Sequence, residues 1–217
     1  MTVTDPIPDA LDRLIAGNRR FARGERSSDA NADPARLAEL LTGQEPIAVV
    51  LGCSDSRVPV ETVFDQGPGD LFVIRVAGNI VTPSQMGSVE FAATYLGTRL
   101  VIVLGHTRCG AVEAAVRSVE RPDATLSRGL GSIVDRVAPS VRTILSARLA
   151  IDRDGLVERA VRANVRASAE ELRRGSEVLG PLIANDGLRV VGAEYSLETG
   201  LVDFFDGADS TGIARPE

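Results

Sequence analysis

The sequence predicts an α/β domain built on a central, mostly parallel sheet flanked by helices. Three observations predict it. The runs IAVVL (47–51) and LVIVL (100–104) have the near-continuous, β-branched hydrophobicity of strands buried on both faces. Segments with helical periodicity separate the strand-like runs, and such alternation means parallel pairing with helices on both sides. A length of 217 residues, 44% hydrophobic and 25% charged, suits a single domain over 1–217 with a substantial core.

The elements follow in order. Leu11, Leu14, Ile15 and Phe21 fall on one side of a helix over 8–23. A polar link through Ser27 to Pro34 leads to a second helix ending near Leu41, and together these form an N-terminal helical arm over 1–45. Strands are expected at 47–52, 70–75 (DLFVIR), 99–105 and 188–195 (LRVVGAEY). Helices over 83–96 and 109–119 lie between them, and two longer ones, 131–149 and 153–178, precede the fourth strand. Val157, Val161, Val165 and Leu172 give the last helix its apolar stripe. The turn-like LETG introduces LVDFF (201–205), a short fifth strand expected antiparallel to the fourth. The order 2-1-3-4 makes the first and third strands central neighbours, with ligands expected at their carboxyl ends.

Charge and composition narrow the function. A net charge of -6 argues against a nucleic-acid partner, because phosphate binding needs a concentrated basic face. The N-terminus MTVTDPIPDA lacks the basic start and apolar stretch of a signal peptide. No apolar run approaches the ~18 residues of a membrane span. A soluble, cytoplasmic protein with no membrane partner is the expectation.

All the nitrogen and sulfur zinc donors of the chain sit in two segments, Cys53 in LGCSDSR (51–57) and His106 with Cys109 in LGHTRCG (104–110). With 2 Cys and 1 His in the sequence, one Cys₂His set exhausts the inventory. A Cys53–Cys109 disulfide is the competing reading, but a cytosolic chain of this size seldom needs one, and zinc also explains the histidine. Two thiolates and an imidazole fill three of four tetrahedral positions, leaving the fourth to a carboxylate or to water. In C-x-D-x-R, Asp55 can reach the metal from the same loop, while Arg57 can draw it away through a bidentate pair. Those alternatives describe a gate.

CSDSR followed about fifty residues later by HTRCG resembles the motif pair of the β-class carbonic anhydrases. The likeness extends to AGNRRF (16–21), FDQGPGDLFVIRVAGN (64–79), GSVEFA (87–92) and Asn164-Val165, and so covers Leu11 to Phe205. It implies one zinc per chain held by Cys53, His106 and Cys109, with zinc hydroxide attacking carbon dioxide to give bicarbonate. It further implies Asp55 paired with Arg57 in the active form, or on the metal in a closed form. A homodimer or homotetramer is implied, the N-terminal arm packing on the neighbouring subunit. Phe72, Ala77 and Phe91 match positions lining an apolar substrate pocket at the dimer interface.

Two departures stand out. Many relatives place a substrate-binding glutamine just before Pro-Gly, whereas here Gln66 is displaced by one position in Asp65-Gln66-Gly67-Pro68-Gly69. The tryptophan on which some relatives build a regulatory bicarbonate site is replaced by Val50. Two other functions fit the same site: hydrolysis of carbon disulfide or carbonyl sulfide, and a non-catalytic zinc protein with Asp55 permanently on the metal. A cysteine phosphatase loop is excluded, since it needs arginine six residues after its cysteine and this chain has Pro59 and Ala115 there.

Overall fold

The computed structural model of the protein describes residues 6–27, 33–123, 125–147 and 152–207. Strands β1 (Ala48–Gly52), β2 (Leu71–Arg75), β3 (Leu100–His106) and β4 (Arg189–Tyr195) pair in parallel, and β5 (Val202–Asp206) runs antiparallel to β4. The order β2-β1-β3-β4-β5 is the one expected from the sequence. Both central strands are buried throughout, which is why they lack a polar alternation. Side chains of Ala48, Val50, Leu100, Ile102 and Leu104 enter one apolar layer, and those of Val49, Leu51, Val101 and Val103 enter the opposite one.

The first layer is covered by α1 (Pro6–Arg23) and the short α3 (Val60–Val63). The second is covered by α4 (Pro83–Tyr95), α8 (Leu179–Asn185) and the C-terminal half of α7 (Arg153–Arg174). The N-terminal half of α7 turns Leu156, Val157, Ala160 and Val161 towards α5 (Gly110–Glu120) and α6 (Arg128–Ser146) in a third cluster that includes both cysteines. A small helix, α2 (Pro34–Leu40), lies outside the core and is capped by the Asp33 carboxylate on the Arg36 N–H.

Helix α1 is attached first to its own chain. Leu14 is fully buried and Leu11 nearly so against their own chain's sheet. Asn18 completes the attachment, donating to the carbonyls of Val63 (3.1 Å) and Gly200 (2.9 Å) and accepting from the Val202 N–H (2.8 Å). The apolar face of this helix is therefore used within the chain, and only its outer side remains for a neighbouring subunit.

The helix expected over 153–178 breaks at Gly175. There the Ser176 hydroxyl accepts from the N–H groups of Val178 and Leu179, starting α8 in a new direction. Helix α6 starts at Arg128, three residues before the expected 131, because Ser127 caps it through the Leu130 N–H. Its expected end at 148–149 and the first residues of the N-terminal reading, 1–5, lie outside the described residues.

Candidate metal centre

Each ligand candidate is placed by the end of a regular element. Cys53 follows the last residue of β1, His106 is the last residue of β3, and Cys109 is the N-cap of α5. Strands β1 and β3 pair directly, with Gly52 opposite Leu104, so the two loops emerge side by side at the carboxyl edge. All three residues are buried, and their donor atoms lie within 4.8 Å of one another.

The donor set fits zinc. Cys53 Sγ and Cys109 Sγ stand 4.0 Å apart as free thiols. A disulfide would require about 2.05 Å, whereas two thiolates on a tetrahedral zinc with Zn–S near 2.3 Å sit about 3.8 Å apart. The disulfide reading is thereby set aside. His106 Nδ1 lies 2.9 Å from the Thr107 carbonyl. Donation there leaves Nε2 with its lone pair free, and this buried Nε2 has no hydrogen-bond partner among the described residues.

The acid and the arginine are together as expected. Arg57 Nε donates to Asp55 Oδ1 (3.0 Å), Nη2 donates to Oδ2 (2.8 Å), and the Arg57 backbone N–H adds a bond to Oδ1 (2.9 Å). Nη2 also reaches the carbonyl of Arg108 (3.2 Å), a residue held at φ 54 between two ligands. Asp55 Oδ2 is 3.8 Å from His106 Nε2, so the carboxylate borders the metal position while engaged by arginine.

The electrostatics favour a cation. The bond from Cys109 holds the Cys53 thiol down to about 4, against the effect of burial. Cys109 is pushed up, first by its bond to Cys53 and then by burial, since a second thiolate beside the first is disfavoured. Burial works against protonation of His106, but the Cys53 thiolate outweighs it and raises the imidazole. Arg57 holds the Asp55 carboxyl well below the usual carboxylate range, so it is ionised at neutral pH.

The proposed pocket residues are more scattered. Ala77 lies in a 3-10 turn (Ala77–Asn79) whose next residue touches Cys53. Phe72 on β2 is opposite Val49, four residues before Cys53, which puts it about 13 Å back along the strands at 3.3 Å per residue. Phe91 on α4 stacks near Phe72, centroids 6.2 Å apart, and continues to Tyr95 at 5.2 Å; both Phe91 and Tyr95 are exposed. Gln66 is buried, donating to the carbonyls of Phe64 (2.8 Å) and Asp65 (3.0 Å), with its Oε1 unpartnered among the described residues. One chain thus brings Ala77 near its own metal position but leaves Phe72 and Phe91 on a separate face.

Arg75 was missed from the sequence, yet its guanidinium donates to the carbonyls of Cys53 (3.0 Å) and Asp55 (2.6 Å), clamping the C-x-D loop from the neighbouring strand. The signal was a lone charge ending an apolar strand, which a solvent-facing residue explains equally well.

A parallel sheet presenting two thiols and an imidazole at its switch point defines a metal-binding α/β protein. The carbonic anhydrase family model matches residues 48–202. Carbonic anhydrase 2 of Mycobacterium tuberculosis is 40% identical over 203 residues, covering 92% of this chain and 93% of that protein. The carbonic anhydrase of Pseudomonas aeruginosa is 35% identical over 213 residues, covering 94% and 91%. Among solved structures, the β-carbonic anhydrase CafA of Aspergillus fumigatus superposes with a TM-score of 0.73 at 27% identity, covering 94% of this chain and 93% of that one. One of two tetrameric β-carbonic anhydrases of Sordaria macrospora gives 0.72 at 25% identity, covering 91% and 97%. The chain belongs to the carbonic anhydrase family, in its β class. No helix among the described residues is long and apolar enough to cross a membrane.

Proposed function

We propose that this chain catalyses the reversible hydration of carbon dioxide to bicarbonate on one zinc ion held by Cys53, His106 and Cys109. The observation carrying this reading is the buried, unpartnered His106 Nε2, which faces two sulfurs with an ionised carboxylate at its border. Zinc with an open position would lower the pKa of water enough to supply hydroxide as the nucleophile. The remaining work belongs to the protein. Asp55, fixed by Arg57, accepts a hydrogen bond from the nucleophile and aims its lone pair at the substrate carbon. Arg57 also keeps the carboxylate off the metal.

The Phe72–Phe91–Tyr95 face supports a second copy of the chain as the partner, in a homodimer or homotetramer, with the apolar pocket completed between copies. Tetramers in the Sordaria relatives are in keeping with this. The alternation of elements supports a single domain spanning 1–217.

The test combines metal analysis with stopped-flow hydration on the same samples. Cys53→Ala, His106→Ala and Cys109→Ala should each lose the metal and most of the activity. Arg57→Ala should keep about one zinc per chain yet be nearly inactive, because nothing then holds Asp55 away. Full zinc and full turnover in any ligand variant would refute the ligand set. Normal rates in Arg57→Ala would refute the gate, and a larger rate with carbonyl sulfide or carbon disulfide would reassign the substrate.

A further inference from the structure

We propose that Asn164 is a positioning residue for the metal centre, acting through the backbone of Gly78 on the sulfur of Cys53. This rests on the reading of Cys53 as a ligand. Asn164 lies on α7, 2% exposed, and its Nδ2 donates to the Gly78 carbonyl at 2.7 Å. The N–H of the same glycine points at Cys53 Sγ, 3.3 Å away. The other polar links of α7 run from its arginines to Glu120, β4 and β5, so among the described residues the Asn164 amide is the hydrogen bond that ties this helix to the turn beside the sulfur.

The geometry of the turn explains why it needs an outside restraint. Gly78 has φ 75 and Asn79 φ 43, two successive residues in the left-handed region. Such backbone persists only where its surroundings over-determine it. Gly78 is favoured by its conformation and also sits close to its neighbour, since a Cβ there would lie 3.2 Å from Ala111 Cβ, two residues beyond Cys109. The turn is therefore wedged between the elements that carry both cysteines, and the Asn164 bond fixes the carbonyl side of the residue whose N–H side serves the sulfur.

An N–H aimed at a thiolate draws charge from it and fixes its orientation, as outer partners of metal ligands generally do. Without Asn164 the Gly78 carbonyl is buried and unpaired, the turn relaxes, and the N–H leaves the sulfur. The thiolate then becomes more electron-rich and less well placed.

The experiment uses the full chain loaded with zinc, and separately with cobalt(II) as a spectroscopic probe. Zinc affinity is measured by competition with a chromophoric chelator, and the sulfur-to-cobalt charge-transfer band by absorption. Asn164→Ala should weaken zinc binding about 10–100-fold, the usual effect of losing an outer partner, and move the band to longer wavelength. Gly78→Ala, strained at φ 75, should move it the same way. Leu172→Ala, fully buried two turns along the same helix, should lose stability without moving the band. If Asn164→Ala does not fold, the similarly sized, apolar Asn164→Leu removes the same donor without adding charge and is read identically.

An unshifted band with parental affinity in the Asn164 variant overturns the proposal. So does an equal shift in Leu172→Ala, which would make the effect one of general loosening. Failure of the ligand reading looks different: the parent would bind no metal, or Cys53→Ala would retain the parental band intensity.

Discussion

Gly105 immediately precedes His106 on β3, and replacing it with alanine tests whether the helix behind the sheet sets the geometry of the metal centre. A Cβ at this position would stand 2.5 Å from Val165 Cγ2 and 3.3 Å from Val161 Cγ1, both on α7. Carbon atoms in ordinary contact are about 3.5–4.0 Å apart, so α7 must retreat by about 1 Å. Val165 cannot turn aside, being fully buried and β-branched, with one favoured rotamer in a helix. Overpacking of this kind costs about 1–3 kcal/mol. At about 2–4 °C per kcal/mol for a chain of this length, the melting temperature should fall by about 2–12 °C. The retreat also carries Asn164, adjacent to Val165, away from Gly78. Displacements of about 1 Å near reacting groups can lower rates about a hundredfold, so kcat/KM should fall by at least about tenfold.

The assay is thermal unfolding and stopped-flow hydration of Gly105→Ala, Val165→Ala and the double variant at equal zinc loading. Val165→Ala removes the closest clashing atom, so the double variant should be more stable than the sum of the singles by at least about 0.5 kcal/mol. Val161 remains tight, so rescue should be partial. A Gly105→Ala protein that melts with the parent, or a strictly additive double variant, would refute the reasoning.

Two further predictions concern protons. In the proposed ligand set the only imidazole of the sequence is used on the metal, so turnover should rise with buffer concentration in stopped-flow assays, and a buffer-independent kcat over a wide range would reveal a relay elsewhere. Glu194 on β4 is raised above the ordinary glutamate value mainly by burial, against the attraction of Arg162. The fold therefore favours the protonated acid, and stability declines as pH rises from the unfolded pKa of about 4.3 through the higher folded value. Glu194→Gln should remove that decline, so the melting temperature of the variant minus that of the parent should increase with pH; a difference that shrinks would mean the carboxylate stabilises the fold.

The grouping of Cys53, His106 and Cys109 was legible because the sequence contains so few donors, and because β-branched runs place Cys53 and His106 at strand ends with Cys109 three residues on. The Asp55–Arg57 pair was legible because the whole contact lies in one loop. Longer-range contacts were not. Asn164 and Gly78 are 86 residues apart, and nothing in either segment names the other. Arg75 reads as a solvent-facing end of a strand until β2 is seen beside the C-x-D loop. The apolar stripe of α1 announced burial without saying on which chain, and Leu14 answers that only through packing. Helix periodicity ran through Gly175 because the break is made by the Ser176 hydroxyl, a local competitor that hydrophobic spacing does not register.

The charges explain why the proposed gate would depend on so exposed a residue. A dication held by two thiolates would have only modest attraction for a further anion, so the Arg57 pair would suffice to hold Asp55 away, and its loss would let the carboxylate cross. Its Oδ2 lies 3.8 Å from His106 Nε2 and 2.8 Å from Arg57 Nη2, which makes small rotations of one side chain decisive. The Arg57 side chain is half exposed, and the Nη2 that pairs with Asp55 is also steadied by the Arg108 carbonyl. Asp55 is already ionised at neutral pH, so acid cannot open or close the gate by protonating it there. Under the proposed function, what would change with pH is the competitor of Asp55 for the metal: high pH would favour hydroxide and leave Asp55 on Arg57, whereas lower pH would favour the carboxylate as ligand. Removing Arg57 would bias that competition while leaving the Asp55 carboxylate in place, which makes it a sharper test of the gate than removing Asp55 itself.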